Sequence, residues 1–205
     1  MNRVSLIQIV LNAYKQGTAI PAFNIPYLPM TVPVIRAVMD SDSFALIECA
    51  RLEWRKFAAQ SLEAVAQEFA SAADLDFVRL HLDHIPVIDE DDQKVDYLPV
   101  FIRAINSGYH SVMIDGSRLA LEDNIKATRD VVVLAHQADL LCEAELGAVM
   151  GHEDGPLPPY EELFASRMGF TDPAEARIFA TECGCDWLSV AVGTVHGAIS
   201  KSTRS

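Results

Sequence analysis

The sequence is short of basic residues. Its 205 residues include 16 lysines and arginines against 29 aspartates and glutamates, giving a formal net charge of −13. Because nucleic acids present anionic phosphates, a chain of this charge needs a basic patch to bind them. The densest basic stretch, 51–56, also contains Glu53 and does not form such a patch. The composition therefore argues against nucleic acid as a partner.

Long apolar runs and cysteine pairs with CxxC spacing are also missing. No uninterrupted apolar run reaches the roughly 18 residues that a membrane-spanning helix needs. The four cysteines lack CxxC spacing, and three of them fall in or beside apolar segments, as buried free thiols do. The sequence therefore predicts a cytoplasmic protein with reduced thiols and no membrane partner.

No linker, low-complexity tract or repeat divides the chain, and we predict one domain over residues 1–205. Short apolar runs alternate with amphipathic stretches. This pattern is typical of a parallel α/β sheet covered by helices, either a barrel or an open sheet. The predicted strands are 19–25, 44–49, 77–82, 111–115, 140–146 and 187–192, and the predicted helices are 31–40, 52–72, 97–106, 119–137 and 173–183.

Polar side chains stand where the later predicted strands end. The third strand ends in HLDH (81–84), and the next three carry MIDGS (113–117), EAELG (143–147) and GTVHG (193–197). In a parallel sheet the carboxyl ends of the strands meet at one rim, which is where ligands bind. Histidines and carboxylates gathered there predict a divalent-metal site with an acid/base partner.

The spacing within HLDH restricts this prediction. In a regular strand His81 and Asp83 share one face, while His84 points to the other. For both Asp83 and His84 to face the centre, the chain must bend or bulge at this point. Pro86, which cannot donate to a β-ladder, is consistent with a strand that ends nearby.

The same polar groups also have structural interpretations. His110 and His136 are interpreted as hydrogen-bonded structural residues, and residues 115–117 could form an ordinary turn. Glu143 and Glu145 share a strand face and could be salt-bridged. Because four consecutive strand ends carry groups of the ligand type, a site is favoured over these separate explanations.

Two connections are long enough to need their own interpretation. Residues 85–94 contain four acids and are predicted to form a solvated acidic loop. Residues 148–170 are rich in glycine and proline, which is typical of a lid or a binding loop.

Five motifs together resemble the class II, metal-dependent fructose-bisphosphate and tagatose-bisphosphate aldolases. They are HLDH (81–84), SGYHSVMIDGS (107–117), EAELGAVMGHEDG (143–155), TDPAEA (171–176) and VGTVHG (192–197), with PAFNI (21–25) matching less specifically. The resemblance implies a TIM (β/α)₈ barrel. It also implies reversible cleavage of a ketose 1,6-bisphosphate to dihydroxyacetone phosphate and glyceraldehyde 3-phosphate, with zinc or another divalent metal as cofactor and a homo-oligomeric assembly.

The resemblance also implies roles for individual residues. Asp83 corresponds to the catalytic acid/base, and Glu153 to the carboxylate that moves a proton on the three-carbon ketone. The implied metal ligands are His84 and His196 at the catalytic zinc and Asp115 and Glu145 at a secondary or alternative site, and Gly197 is expected to contact the dihydroxyacetone phosphate half.

The chain also departs from the family pattern. It shows six predicted strands where a (β/α)₈ barrel of about 250 residues has eight, so we expect the last two β/α units, and the third zinc-binding histidine with them, to be missing. Residues 51–57 and 85–94 also differ from the family. A truncated, non-catalytic remnant or interaction protein is therefore an alternative, with little or no activity expected of this chain alone. A metal-dependent barrel hydrolase is a weaker one.

Overall fold

The computed structural model describes residues 4–149 and 159–195. Six parallel strands follow one another in the order of the sequence, and each is hydrogen-bonded to the next. They form a curled sheet with alternating helices, a partial TIM barrel. The strands are β1 (Ala22–Asn24), β2 (Ala45–Ala50), β3 (Val78–Pro86), β4 (Ser111–Asp115), β5 (Leu141–Leu146) and β6 (Trp187–Val190).

Three of the described helices begin at polar caps that the sequence provides. Ser5 and Ser61 accept hydrogen bonds from the first turns of their helices, and Asp172 caps another whose first residue is Pro173. The longest described helix has 17 residues, and none in the described part is both long and apolar enough to cross a membrane. The helices are α1 (Leu6–Gln16), α2 (Thr31–Asp40), α3 (Arg51–Arg55), α4 (Leu62–Ala72), α5 (Leu98–Asn106), α6 (Leu121–Gln137), α7 (Tyr160–Ser166) and α8 (Pro173–Cys183), with a short 3₁₀ turn at Leu28–Met30.

The predicted strands are confirmed, with differences at their ends. The strand predicted at 77–82 continues to Pro86, because a bulge lets the chain go on pairing with β4. The helix predicted over 52–72 is two helices, α3 and α4. Between them Gln60 has a positive φ of 69° and Ser61 caps a new helix. The backbone therefore turns at a point where the hydrophobic pattern of the sequence continues without a break.

The two faces of the sheet differ in chemistry. The face beneath the helices is apolar, with Ile47, Leu80 and Leu82 fully buried against α2 and α4 residues in one continuous core. The inner face carries Glu48, His81 and Asp83, which alternate with those residues along β2 and β3. Strand alternation therefore lines the inside of the curved sheet with ionisable groups. The cysteines are free, and three of the four are buried.

The acidic segment after β3 is an ordered turn, exposed to solvent at Asp91 and Asp92 as predicted but with Asp89 buried. Ile88 and Lys94 pair as an antiparallel bridge, and the Val95 N–H donates to the Val87 carbonyl at 2.9 Å. Asp89 is buried, and its Oδ1 accepts hydrogen bonds from the Asp91 and Gln93 N–H groups at 3.1 and 2.9 Å. An aspartate that caps its own turn is indistinguishable in composition from a solvated one. Residues 88–94 are called the acidic turn below.

Candidate functional site

A bulge in β3 brings two adjacent side chains to the rim. The pairing of β3 with β4 shifts between Leu82 and Ile85, and His84 has a φ of 37°. A positive φ is uncommon for a residue other than glycine and marks a position held by its surroundings. The predicted bend is confirmed. It allows Asp83 and His84 to lie 3.9 Å apart, from Oδ1 to Nε2, instead of pointing to opposite faces.

His84 meets carboxylates from the next two strands. Its Nδ1 lies 3.5 Å from Asp115 Oδ2 at the end of β4 and 3.3 Å from Glu145 Oε2 near the end of β5. One ligand atom from each of the three residues falls within 4.8 Å of the others. Glu145 Oε2 is buried and has no hydrogen-bond partner among the described residues. Because a buried carboxylate oxygen is costly to leave unpaired, this arrangement suits a cation bound between the three side chains.

The electrostatics of the cluster also favour a cation. Burial lowers the pKa of His84, but the hydrogen bond to Asp115 and the charges of Asp83 and Glu145 outweigh it and raise this pKa to about 10. Burial, and then the charge of Asp115, raises the pKa of Glu145 to about 7. In the absence of a metal, the carboxylates therefore stabilise a positive charge on the imidazole between them.

Asp83 is held by a residue that the sequence reasoning did not select. Asn24, on β1, donates from Nδ2 to Asp83 Oδ2 at 2.9 Å. Asn24 pairs with Glu48 on β2, which pairs in turn with His81 on β3, so the three occupy one row across the sheet. Asn24 belongs to the PAFNI segment. The position of this segment on the first predicted strand is the only sequence feature that could have pointed to Asn24.

More acids than predicted lie inside the sheet. Burial raises the pKa of Glu48 to about 8 and those of Glu53 and Glu143 to about 7. The salt-bridge interpretation is confirmed for Glu145, whose Oε2 lies 3.3 Å from Nδ1 of the His84 imidazole, whereas no lysine or arginine pairs with Glu143 in the described part of the chain. Glu143 instead accepts a hydrogen bond from the Trp187 indole.

His81 stands beside these acids as a neutral group. It is fully buried, and burial lowers its pKa to about 4. Its Nδ1 is hydrogen-bonded to Ser111 Oγ at 2.8 Å, and its Nε2 lies 3.5 Å from Glu143 Oε2. The inner face of the sheet is therefore a polar layer of acids around a neutral imidazole.

The structural interpretations of His110 and His136 are confirmed. His110 Nδ1 accepts the Leu80 N–H at 3.0 Å, and His136 Nε2 lies 2.9 Å from Asp186 Oδ2. Residues 115–117 do form a turn, in which Asp115 Oδ1 accepts from the Ser117 N–H and Oγ at 2.9 and 2.6 Å. The turn and the site coexist, because Asp115 uses its other oxygen toward His84.

A cavity of about 460 Å³ opens beside the cluster. Its lining comes from the segments that follow β2, β3, β4 and β5, and it includes the three cluster residues together with Arg51, Lys56, Phe57, Ile88, Glu90 and Arg118. A larger cavity, of about 1130 Å³, lies under α1 at the amino ends of the strands. The part of its lining that the structure describes contains no set of three metal ligands.

The sequence model of the family described as fructose-bisphosphate aldolase class-II matches residues 4–204. The chain belongs to this family. Membership confirms the resemblance in the motifs, and it tells against the alternative of a barrel hydrolase.

Solved aldolase structures share the fold. The YdjI aldolase from Escherichia coli K12 superimposes with a TM-score of 0.72 at 24% identity, over 95% of this chain and 64% of that one. A putative fructose-1,6-biphosphate aldolase from Coccidioides immitis gives 0.69 at 26% identity, over 94% and 62%. Fructose-bisphosphate aldolase from Campylobacter jejuni gives 0.67 at 18% identity, over 97% and 61%. This aldolase-family chain thus spans less than two thirds of the length of each.

Three of the predicted site residues of this aldolase-family chain lie outside the described residues. They are Glu153, His196 and Gly197. Their roles as proton carrier, metal ligand and contact to the ketone half stay predictions. The residues that the structure does bring together are Asp83, His84, Asp115 and Glu145, with Asn24 as an addition.

Proposed function

We propose that the chain carries the site of a metal-dependent aldolase, which reversibly cleaves a phosphorylated ketose at a carbon–carbon bond. The observation that carries the proposal is the cluster of His84, Asp115 and Glu145 at the rim, with Asp83 alongside, in a chain of this family. We propose a single aldolase-type barrel domain acting in the cytoplasm as a homo-oligomer, as the resemblance implies.

His84, Asp115 and Glu145 are the described residues that would hold the metal, with His196 as the proposed further ligand. An imidazole and two carboxylates suit zinc, and they also suit cobalt, manganese or iron. The unpartnered Glu145 oxygen supports this fit. When bound, such a cation supplies Lewis-acid stabilisation of the negative charge that develops on the ketone half of the substrate.

Asp83 is proposed to move the proton of the substrate hydroxyl. In cleavage, this hydroxyl loses its proton to the Asp83 carboxylate as the carbon–carbon bond breaks, its oxygen becomes the aldehyde oxygen, and the bonding electron pair passes to the ketone half. In condensation the same proton returns to the new hydroxyl. The Asn24 amide at 2.9 Å orients the carboxylate, leaving Oδ1 on the side of His84. Glu153 is proposed to protonate the carbon of the ketone half, and Gly197 to contact that half.

The test is cleavage of fructose and tagatose, each as the 1-phosphate and the 1,6-bisphosphate, by the purified chain, with zinc or cobalt added and then removed by a chelator. The proposal predicts turnover that the chelator abolishes and the metal restores, whereas the missing β/α units predict little or none. His84→Ala is expected to lose both metal binding, measured by equilibrium dialysis, and turnover. His136→Ala is the matched control, because His136 is bonded to Asp186 and contributes nothing to the cluster.

Two outcomes would contradict the proposal. Turnover that persists in His84→Ala, or that ignores the chelator, would remove the metal from the reaction. Metal binding without cleavage of any phosphorylated ketose would favour the alternative of a non-catalytic aldolase-like protein.

A further inference from the structure

Three cations line the cavity beside the metal cluster. Arg51 and Lys56 come from the segment after β2, and Arg118 from the segment after β4. A site that binds a terminal phosphate presents cations with free hydrogen-bonding capacity. The ion pairs that these three side chains already make determine how much hydrogen-bonding capacity is left for a phosphate.

Each of them is already paired with the acidic turn. Arg51 lies 3.3 Å from Asp89 and 4.0 Å from Glu90. Lys56 lies 3.0 Å from Glu90 and 3.1 Å from Asp91. Arg118 lies 3.0 Å from Asp92, and it also donates to the Asp89 carbonyl. The two segments that depart from the family pattern, 51–57 and 85–94, therefore contact each other along this wall.

The backbone of the turn fixes Asp89, the acid that faces Arg51. The Asp91 and Gln93 N–H groups bind the Asp89 carboxylate, and the Ile88–Lys94 bridge closes the base of the turn. Arg51 and Asp89 are also largely shielded from water, with side-chain exposures of 16% and 8%. A phosphate from solution would have to compete for Arg51 with a carboxylate that is fixed beside it.

The charges along the wall balance. The acidic turn carries four acids, Asp89 to Asp92, and one lysine, Lys94, so together with the three cations its formal charge is zero. Glu90 itself lines the cavity, and Phe57 and Ile88 make other parts of the lining apolar. A phosphate dianion in this space would meet no uncompensated positive charge on the wall, whereas an uncharged hydroxyl group needs none.

We infer that the half of the ketose that enters this cavity ends in an uncharged hydroxyl group and carries no phosphate. The inference rests on the proposed aldol function and deepens it. Asp83, the proposed base for the hydroxyl that becomes the aldehyde oxygen, lies on β3, between the two strands whose following segments carry Arg51, Lys56 and Arg118. The aldehyde half is therefore the one that meets the acidic turn. The substrate class is a ketose 1-phosphate with an unphosphorylated far end.

The test compares two aldehydes in condensation with dihydroxyacetone phosphate. We expect the zinc-loaded chain to have a higher kcat/KM for glyceraldehyde than for glyceraldehyde 3-phosphate. The triple variant Glu90→Gln, Asp91→Asn, Asp92→Asn keeps Asp89 and its turn hydrogen bonds, and it should shift this ratio about tenfold toward the phosphorylated aldehyde. The matched control is Asp40→Asn, Glu122→Gln, Asp130→Asn, which makes the same changes at exposed sites on helices.

A chain that prefers glyceraldehyde 3-phosphate would overturn the inference, as would equal shifts in the two triple variants. Failure of the proposed function has a different signature, since neither aldehyde would then give product. In that event the Kd for glyceraldehyde 3-phosphate, measured by calorimetry on the zinc-loaded chain, decides the inference. Binding about tenfold tighter in the turn variant than in the control supports it, and equal binding overturns it.

Discussion

Two groups of acids lie at the same end of the sheet and differ in how they are compensated. The interior group is Glu48, Glu53, Asp83, Glu143 and Glu145, served by hydrogen bonds and by the His84 imidazole. The acidic turn is served by three cations. In a chain with only 16 basic residues, those three are placed on the cavity wall beside the acidic turn.

The pKa values follow from this difference. Burial, with mutual repulsion, raises the pKa of Glu48 to about 8 and those of Glu53, Glu143 and Glu145 to about 7. Burial acts to raise the pKa of Asp89 too, but the Gln93 and Asp91 N–H groups and Arg51 bring it below its usual value. Acidic side chains therefore have different functions in the two groups. The interior acids close to His84 favour a bound cation, whereas the acids of the turn neutralise the positive charge of the wall.

The largest effect is expected where an interior acid takes part in the reaction. Asp83→Asn keeps the size of the side chain but cannot accept the hydroxyl proton, so turnover should fall by about 10³-fold. Metal affinity, measured by equilibrium dialysis, should stay close to that of the unmodified chain, because Asp83 lies beside the cluster and not in it. Unchanged turnover in Asp83→Asn would contradict the assigned role.

The next effect concerns an interior acid with no part in the cluster, and it depends on pH. The pKa of Glu48 is about 8 in the folded chain against an ordinary 4.5, so between these values the native state holds a proton that the unfolded state has lost. The free energy of unfolding of the metal-free chain should therefore fall as pH rises through this window, by up to about 1.4 kcal/mol per pH unit.

Glu48→Gln removes this titration and tests it. The variant should gain stability relative to the unmodified chain as pH rises from 5 to 8, measured by urea denaturation at each pH. A matched control is Glu122→Gln, because Glu122 is exposed on α6. A constant difference between Glu48→Gln and the unmodified chain across this range would show that Glu48 is ionised throughout.

The smallest effect is expected in the acidic turn, where compensation is complete. Asp89→Asn weakens two turn hydrogen bonds and leaves Arg51 with only the more distant Glu90, so we expect a loss of about 1 to 2 kcal/mol in the free energy of unfolding. Asp92→Asn removes only an exposed pair with Arg118 and should cost less than about 1 kcal/mol. Equal costs would mean that burial of Asp89 contributes nothing.

The sequence predicted much of the fold because strands and helices depend on local pattern. The strand 111–115 and the helix 173–183 agree with the structure at both ends, since a turn or a cap marks each boundary. The bulge that places Asp83 beside His84 also followed from the period of a strand. The site could be predicted from the sequence for those residues that stand at the ends of strands.

The remaining features depend on contacts between distant segments. Nothing local to Asp89 shows that Arg51 approaches it, and the acids of the turn therefore looked solvated. Asn24 was overlooked because an asparagine in a short edge strand has no distinctive pattern, although its amide reaches Asp83. The break between α3 and α4 was missed because apolar residues continue through it. The positive φ of Gln60, which makes the break, depends on the tertiary structure.

The chain has two tryptophans in different surroundings. Trp187 donates its indole N–H to Glu143, with its ring centroid 6.2 Å from that of His81. Trp54 lies in α3 and packs against the hydrophobic core. Indole emission responds to nearby charge and to water, so Trp187 should report on the charge of the interior acids. With Trp54→Phe as the version that keeps Trp187 and Trp187→Phe as its reference, metal uptake becomes an optical signal from an unlabelled chain.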